Sequence, residues 1–78
     1  MKAIGPNITP NIGGIYIHVR TGNKYVVTAI GKLKLPGTGW FDSVSYVRED
    51  GSNVTTYTRT LTDFQSSFAD SDGYIEVE

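Results

Sequence analysis

The chain is 78 residues long, with seven basic and eight acidic residues, a net charge of −1, one histidine and no cysteine. That length makes one small domain, and the missing cysteine excludes disulfides and thiolate metal sites, while a lone histidine argues against a structural metal. A balance this close to neutral excludes a protein built to grip long duplex nucleic acid, which needs a basic face. So short a chain buries only roughly 60% of its unfolded surface. With no covalent or metal staple, a homo-oligomer is expected rather than a monomer.

Residues 1–10 contain no apolar leader region, and no apolar run approaches the roughly 20 residues needed to span a bilayer. A soluble, cytoplasmic protein with no membrane contact is therefore expected. Residues 1–13, with Gly5-Pro6-Asn7 and Thr9-Pro10-Asn11, read as an N-terminal arm before a single domain at 14–78. Pro6 and Pro10 prevent the helix that the spacing of Ile4, Ile8 and Ile12 would otherwise suggest. Those isoleucines are expected on the outside of the domain or against a neighbouring subunit.

Gly14–Arg20 and Lys24–Lys32 flank a Thr21-Gly22-Asn23 turn and read as a β-hairpin. In the first arm Ile15, Ile17 and Val19 alternate with Tyr16, His18 and Arg20, so the two sets lie on opposite faces. The aliphatic set is expected inside, with the other set facing outward or into a shared cleft. In the second arm Tyr25, Val27 and Ala29 oppose Val26, Thr28 and Ile30. Residues 32–39, KLKLPGTG, read as a loop set by Pro36, Gly37 and Gly39. The LPGTG within it matches a cell-wall sorting motif, but it lies mid-chain with no hydrophobic anchor after it.

Trp40–Glu49 is a third strand, with Val44, Tyr46 and Arg48 on one face and Ser43, Ser45 and Val47 on the other. Asp50-Gly51-Ser52-Asn53 is a turn, and the threonine-rich Val54–Thr60 a fourth strand with Tyr57 and Arg59 on one face. Residues 61–69 are the helical segment: Thr62 with Gln65 is a capping-box pattern, and Leu61, Phe64 and Phe68 share a side. Tyr74–Glu78 is a last strand. These elements describe an all-β fold, a small five-stranded antiparallel SH3-like open barrel with one short α or 3₁₀ plug near residues 61–69.

Residues 13–68 carry an ordered pattern: Gly14, Tyr16 and His18; then Gly22, Tyr25 and Val27; then Val44 and Tyr46; then Tyr57, Arg59 and Phe64. In this the chain resembles a family of small bacterial and phage proteins of unknown function. It departs from the family at Ile17, where an arginine is usual, at Thr60, where a proline is usual, and in the KLKLPGTG segment. The resemblance implies a small β fold and a phage or mobile-element origin, and it implies no reaction.

His18 titrates near neutral pH, but a general base needs an orienting carboxylate and a nucleophile or substrate proton in reach. Asp42 and Asp63 are the available carboxylates, and the sequence places neither beside it. There is no cysteine, no G-x-S-x-G elbow and no phosphate-cradling glycine loop before a helix. The chain is therefore read as a non-enzyme without a cofactor. The set with recognition chemistry is Tyr16, His18, Arg20, Trp40, Tyr46, Tyr57 and Arg59, since aromatic faces stack bases and guanidinium forks grip phosphate or carboxylate. The competing reading makes Tyr46 and Tyr57 barrel core with the arginines packed over them.

The function expected is a small binding module, phage-encoded, that docks on a host protein such as a defence component through a strand edge or the aromatic–arginine face. One alternative is an oligomer that sequesters a nucleotide-derived small molecule, with Arg20 or Arg59 on phosphate and Trp40 or Tyr16 on the base. Another is an RNA-binding β-barrel.

Overall fold

The computed structural model describes residues 8–52 and 55–70. Five antiparallel strands and one helix follow in the order β1 (Ile15–His18), β2 (Lys24–Leu35), β3 (Gly39–Arg48), β4 (Tyr57–Thr60), α1 (Leu61–Ser67) and β5 (Phe68–Asp70). They form one sheet with the strand order β4-β3-β2-β1-β5. The fold is thus small and all-β with a single short helix, as expected. Among the described residues β4 and β5 are its two edges, and α1 joins them.

In the first hairpin arm the expected polarity fails at Tyr16 and Ile15 and holds at Ile17 and Arg20. Tyr16 is 6% exposed and lies in the core, whereas Ile15 is 37% exposed. The core joins Ile8, Tyr16, Val27, Val44, Tyr46, Phe64 and Phe68, with Tyr25 and Leu61 packed against it. The aromatic face is the inward one because α1 lies over it, and rings supplied by strand and helix fill the space. Phe64 and Phe68 stack with centroids 4.2 Å apart and planes at 4°. Tyr16 meets Phe64 edge-on at 5.5 Å, and Tyr46 meets Phe68 at 5.1 Å. Edge and offset arrangements of this kind satisfy the ring quadrupoles. Ile17 is also buried, on the opposite face beside Ala69 of β5.

The tyrosine hydroxyl is accommodated rather than stranded. Asn11 donates its backbone N–H to the Tyr16 hydroxyl at 2.9 Å. That contact draws residues 8–14 onto the domain: Gln65 Nε2 donates to the Ile8 carbonyl at 2.9 Å, and Gly13 N–H donates to Val27. Ile8 is buried, contrary to the expected outward placement, while Ile12 is exposed as expected. Ile4 lies outside the described residues.

β2 runs farther than the sequence suggests. Its pairing with β3 slips between Val27 and Ala29, so Thr28 is a bulge residue and the alternation changes parity there. Tyr25 and Val27 pair on the core face, and after the bulge Ile30, opposite Val44, lies on that face but stays exposed. The expected 32–39 loop is instead strand up to Leu35 and a tight turn. Pro36 and Gly37, the latter at φ +80°, occupy its centre, and Thr38 N–H closes it on Leu35 C=O at 3.1 Å. Proline followed by a positive-φ glycine is type II turn chemistry.

α1 starts two residues before the expected capping box. Thr60 Oγ1 accepts the Asp63 N–H at 3.2 Å, so Thr60 is the N-cap and Gln65 is free to hold Ile8. The helix ends where Phe68 turns extended and its N–H returns to Phe64 C=O. Phe68 then begins β5, which pairs with β1. The expected last strand, Tyr74–Glu78, lies outside the described residues.

The spacing Gly14-x-Tyr16 has a steric cause. A Cβ on Gly14 would lie 2.8 Å from the Tyr16 hydroxyl, 2.9 Å from its ring and 3.0 Å from the Asn11 carbonyl oxygen. Two of these neighbours are pinned by the hydrogen bond just described, so neither can yield cheaply. Gly14→Ala is expected to destabilise the fold by about 1–3 kcal/mol, read as a lower urea midpoint. An unchanged or higher midpoint would show that the Tyr16 ring is not held there.

Candidate functional site

The seven residues singled out from the sequence fall into four places. Tyr16 and Tyr46 are core. Tyr57, at the β4 edge, stacks on Tyr46 at 5.7 Å and meets Tyr25 edge-on at 6.2 Å. His18, Arg20 and Arg59 line one cleft, and Trp40 stands beside another.

The first cleft holds about 410 Å³ and is lined by His18, Val19, Arg20, Arg59, Ser66 and Ser67. Three pieces of chain meet there: the end of β1 with the turn after it, β4, and the last turn of α1. Arg59 is fixed from several sides. Its Nε donates to the Tyr46 hydroxyl at 2.7 Å, and its Nη1 donates to Asp63 Oδ2 at 3.1 Å and to Ser67 Oγ at 3.3 Å. Its guanidinium carbon lies 5.6 Å from the centre of the Phe68 ring, a cation–π arrangement. His18 meets Phe68 at 5.0 Å, and its Nδ1 is 3.1 Å from Thr21 Oγ1. That oxygen also accepts the Asn23 N–H at 3.3 Å. Arg20 is exposed.

The electrostatics follow from this crowding. Burial, then the positive charges of Arg59 and Arg20, lower the His18 pKa below 6.5, and Asp63 opposes them. Burial raises the Tyr46 pKa, against the hydrogen bond from Arg59. Neither carboxylate considered for His18 bonds to it: Asp63 pairs with Arg59, and Asp42 pairs with Lys32. Among the described residues no cluster of three or more His, Cys, Asp or Glu could hold a metal ion. No helix among them is long and apolar enough to cross a membrane.

The second cleft holds about 560 Å³ and is lined by Lys32, Leu35, Trp40, Phe41, Asp42 and residues 60–62 at the start of α1. It lies under a two-stranded ribbon. β1 pairs with β2 only as far as Val26, and β4 pairs with β3 only as far as Ser43. From Lys32 to Asp42 the hairpin therefore has no flanking strand among the described residues, and the molecule is elongated, 43 × 27 × 19 Å. Cross-strand pairs stiffen it: Lys32 with Asp42, and Lys34 opposite Trp40 with Nζ 5.6 Å from the ring centre. Trp40 is nonetheless 65% exposed, and Ile30, Leu35 and Phe41 are exposed as well.

Ser66, Ser67, Leu35 and Phe41 are site residues that the sequence reading missed. The serines carry no motif. The ribbon did leave a signal, since Lys32-Leu33-Lys34-Leu35 alternates like a strand directly before a Pro-Gly turn. The chain matches no protein-family model, no curated protein and no solved structure.

The His18 environment sets a pH dependence. Above about pH 6.5 the ring is neutral in both states and the contribution to stability is complete. As pH falls through that value toward the lower folded pKa, the unfolded chain takes up a proton that the folded chain resists, so stability declines. Melting temperature should therefore drop more steeply between about pH 7.5 and about pH 5.5 in the wild type than in His18→Gln. Parallel curves would contradict this account of the cleft.

Proposed function

We propose that the chain is a non-enzymatic binding module that docks a protein partner on its projecting ribbon. The partner adds an extended segment along the free edge of β2, with Trp40 and Phe41 as anchors. The observation that carries the reading is that ribbon: beyond Val27, β2 has β3 on one side and no strand on the other among the described residues. An unsupported two-stranded hairpin is marginal in water, and a free strand edge is a template for another chain. Strand addition takes affinity from main-chain hydrogen bonds and specificity from alternate side chains. Lysine and leucine alternate along Lys32–Leu35, so the complementary segment alternates acidic and apolar residues. The edge lysines also discourage indiscriminate pairing with neutral strands.

The origin implied by the resemblance would make the partner a host protein, such as a defence component, in a bacterial cytoplasm. Self-association is a second reading, favoured by the chain's own sequence. Ile75-Glu76-Val77-Glu78 carries the same acidic–apolar alternation, so a second copy has the chemistry of a partner. A nucleotide ligand finds less support: Tyr16 is in the core, and Trp40 lies toward the start of α1 while Arg20 and Arg59 lie toward its end. Among the described residues neither Tyr16 nor Trp40 is thus a base platform beside Arg20 or Arg59. An RNA ligand finds little support either, because of the two ribbon lysines one is paired with Asp42 and the other lies over Trp40. Support for the non-enzymatic reading comes from His18, to which no carboxylate among the described residues is bonded to orient it as a base.

Trp40 is the only tryptophan, so its fluorescence reports on the ribbon directly. Immobilised protein should capture a stoichiometric partner from bacterial lysate. Trp40→Ala should weaken that partner's binding roughly 30-fold or more, as expected for a hot-spot tryptophan, with the melting temperature unchanged. A blue shift of Trp40 emission that grows with protein concentration, with no partner added, selects the second-copy reading. A partner held equally well by Trp40→Ala contradicts docking on the ribbon.

A further inference from the structure

We propose that the His18–Arg20–Arg59 cleft binds the phosphate group of a small phosphorylated ligand, at a site separate from the ribbon. The donors left over after folding carry the argument. Arg59 spends Nε and Nη1 on Tyr46, Asp63 and Ser67, and its Nη2 makes no hydrogen bond among the described residues. Arg20 makes no hydrogen bond or ion pair there at all. His18 uses only Nδ1, which leaves Nε2. Ser67 Oγ accepts from Arg59 and keeps its own hydroxyl hydrogen, whereas Ser66 donates to Asp63 C=O at 2.9 Å.

Unsatisfied donors from three parts of the chain thus border one cleft of about 410 Å³, within the size range of small-ligand sites. Of the charged groups that face His18, Arg20 and Arg59 are positive and Asp63 is negative, so the site keeps a net positive charge in a chain whose net charge is −1. A phosphate monoester carries about −1.5 to −2 charge and three acceptor oxygens. It can take guanidinium, imidazole and hydroxyl donors from different directions, which a planar carboxylate cannot do as fully. Val19 is the one aliphatic lining residue and no Phe, Tyr or Trp lines the cleft, so the rest of the ligand is compact rather than a stacked base.

The test uses inorganic phosphate and the ring resonances of the single histidine, followed by NMR at constant ionic strength. Phosphate should shift the His18 signals saturably and raise the pH at which the ring titrates, because a bound anion favours imidazolium. Arg20→Gln, an exposed change that leaves the core untouched, should weaken phosphate binding roughly tenfold or more. Trp40→Ala should leave it intact. Equal shifts with sodium chloride, an undiminished response in Arg20→Gln, or loss of the response in Trp40→Ala would overturn the proposal. Acetate saturating at the same concentrations would overturn the assignment to phosphate.

Discussion

A seven-residue helix has to connect the two edges of a five-stranded sheet, and most of the structure follows from that constraint. Four inter-strand gaps of about 4.8 Å would put the edges of a flat sheet roughly 19 Å apart, while α1 spans only about 10 Å. The sheet must therefore curl. Arg59 marks how far it does so. It belongs to β4, yet its guanidinium lies over Phe68 of β5 at the opposite edge. It also bonds to Tyr46 of β3 and to Asp63 and Ser67 of α1. One side chain thus ties together elements that the ladder of hydrogen bonds leaves at its two ends.

The curl decides what fills the inside. A concave face under a short helix leaves a thick, uneven gap, which large planar rings fill better than aliphatic side chains. Tyr16, Tyr25 and Tyr46 bring hydroxyl groups with them. For Tyr16 and Tyr46 those groups find partners at the rim, in the Asn11 N–H and in Arg59. The same rim is where donors remain over, so the cleft beside His18 is a by-product of closing the fold with an arginine. The ribbon has the opposite origin. It extends past the strands that would flank it, and its exposed Trp40 and Phe41 gain nothing from the chain's own core. The molecule therefore carries a polar, positively charged cleft toward one end of α1 and an apolar, strand-edged surface toward the other.

Much of the fold was legible in the sequence because turns and alternation are local signals. The hairpins, the short helix after Thr60, the shared face of Val44 and Tyr46 and the shared side of Leu61, Phe64 and Phe68 all follow from spacing alone, whereas the inward turn of Tyr46 does not. The inner face of β1 did not, since alternation says that two faces differ but not which of them a distant helix will cover. Thr28 was hidden for a related reason: a bulge adds one residue without any glycine or proline to mark it, and everything beyond it changes side. The candidate set mixed true neighbours with distant residues. His18, Arg20 and Arg59 meet because β4 and the end of β1 come together only through the curl. Trp40 was grouped with them on chemistry, and the length of β2 carries it away.

The central claim is that the Tyr46 hydroxyl anchors Arg59 so that its guanidinium lies over Phe68 and ties the two edges of the curled sheet together. A double-mutant cycle of Tyr46→Phe and Arg59→Met, measured by urea denaturation, tests it most directly. The account predicts a coupling energy of at least about 1 kcal/mol, as for a hydrogen bond with one charged partner. Additive effects of the two substitutions would contradict it.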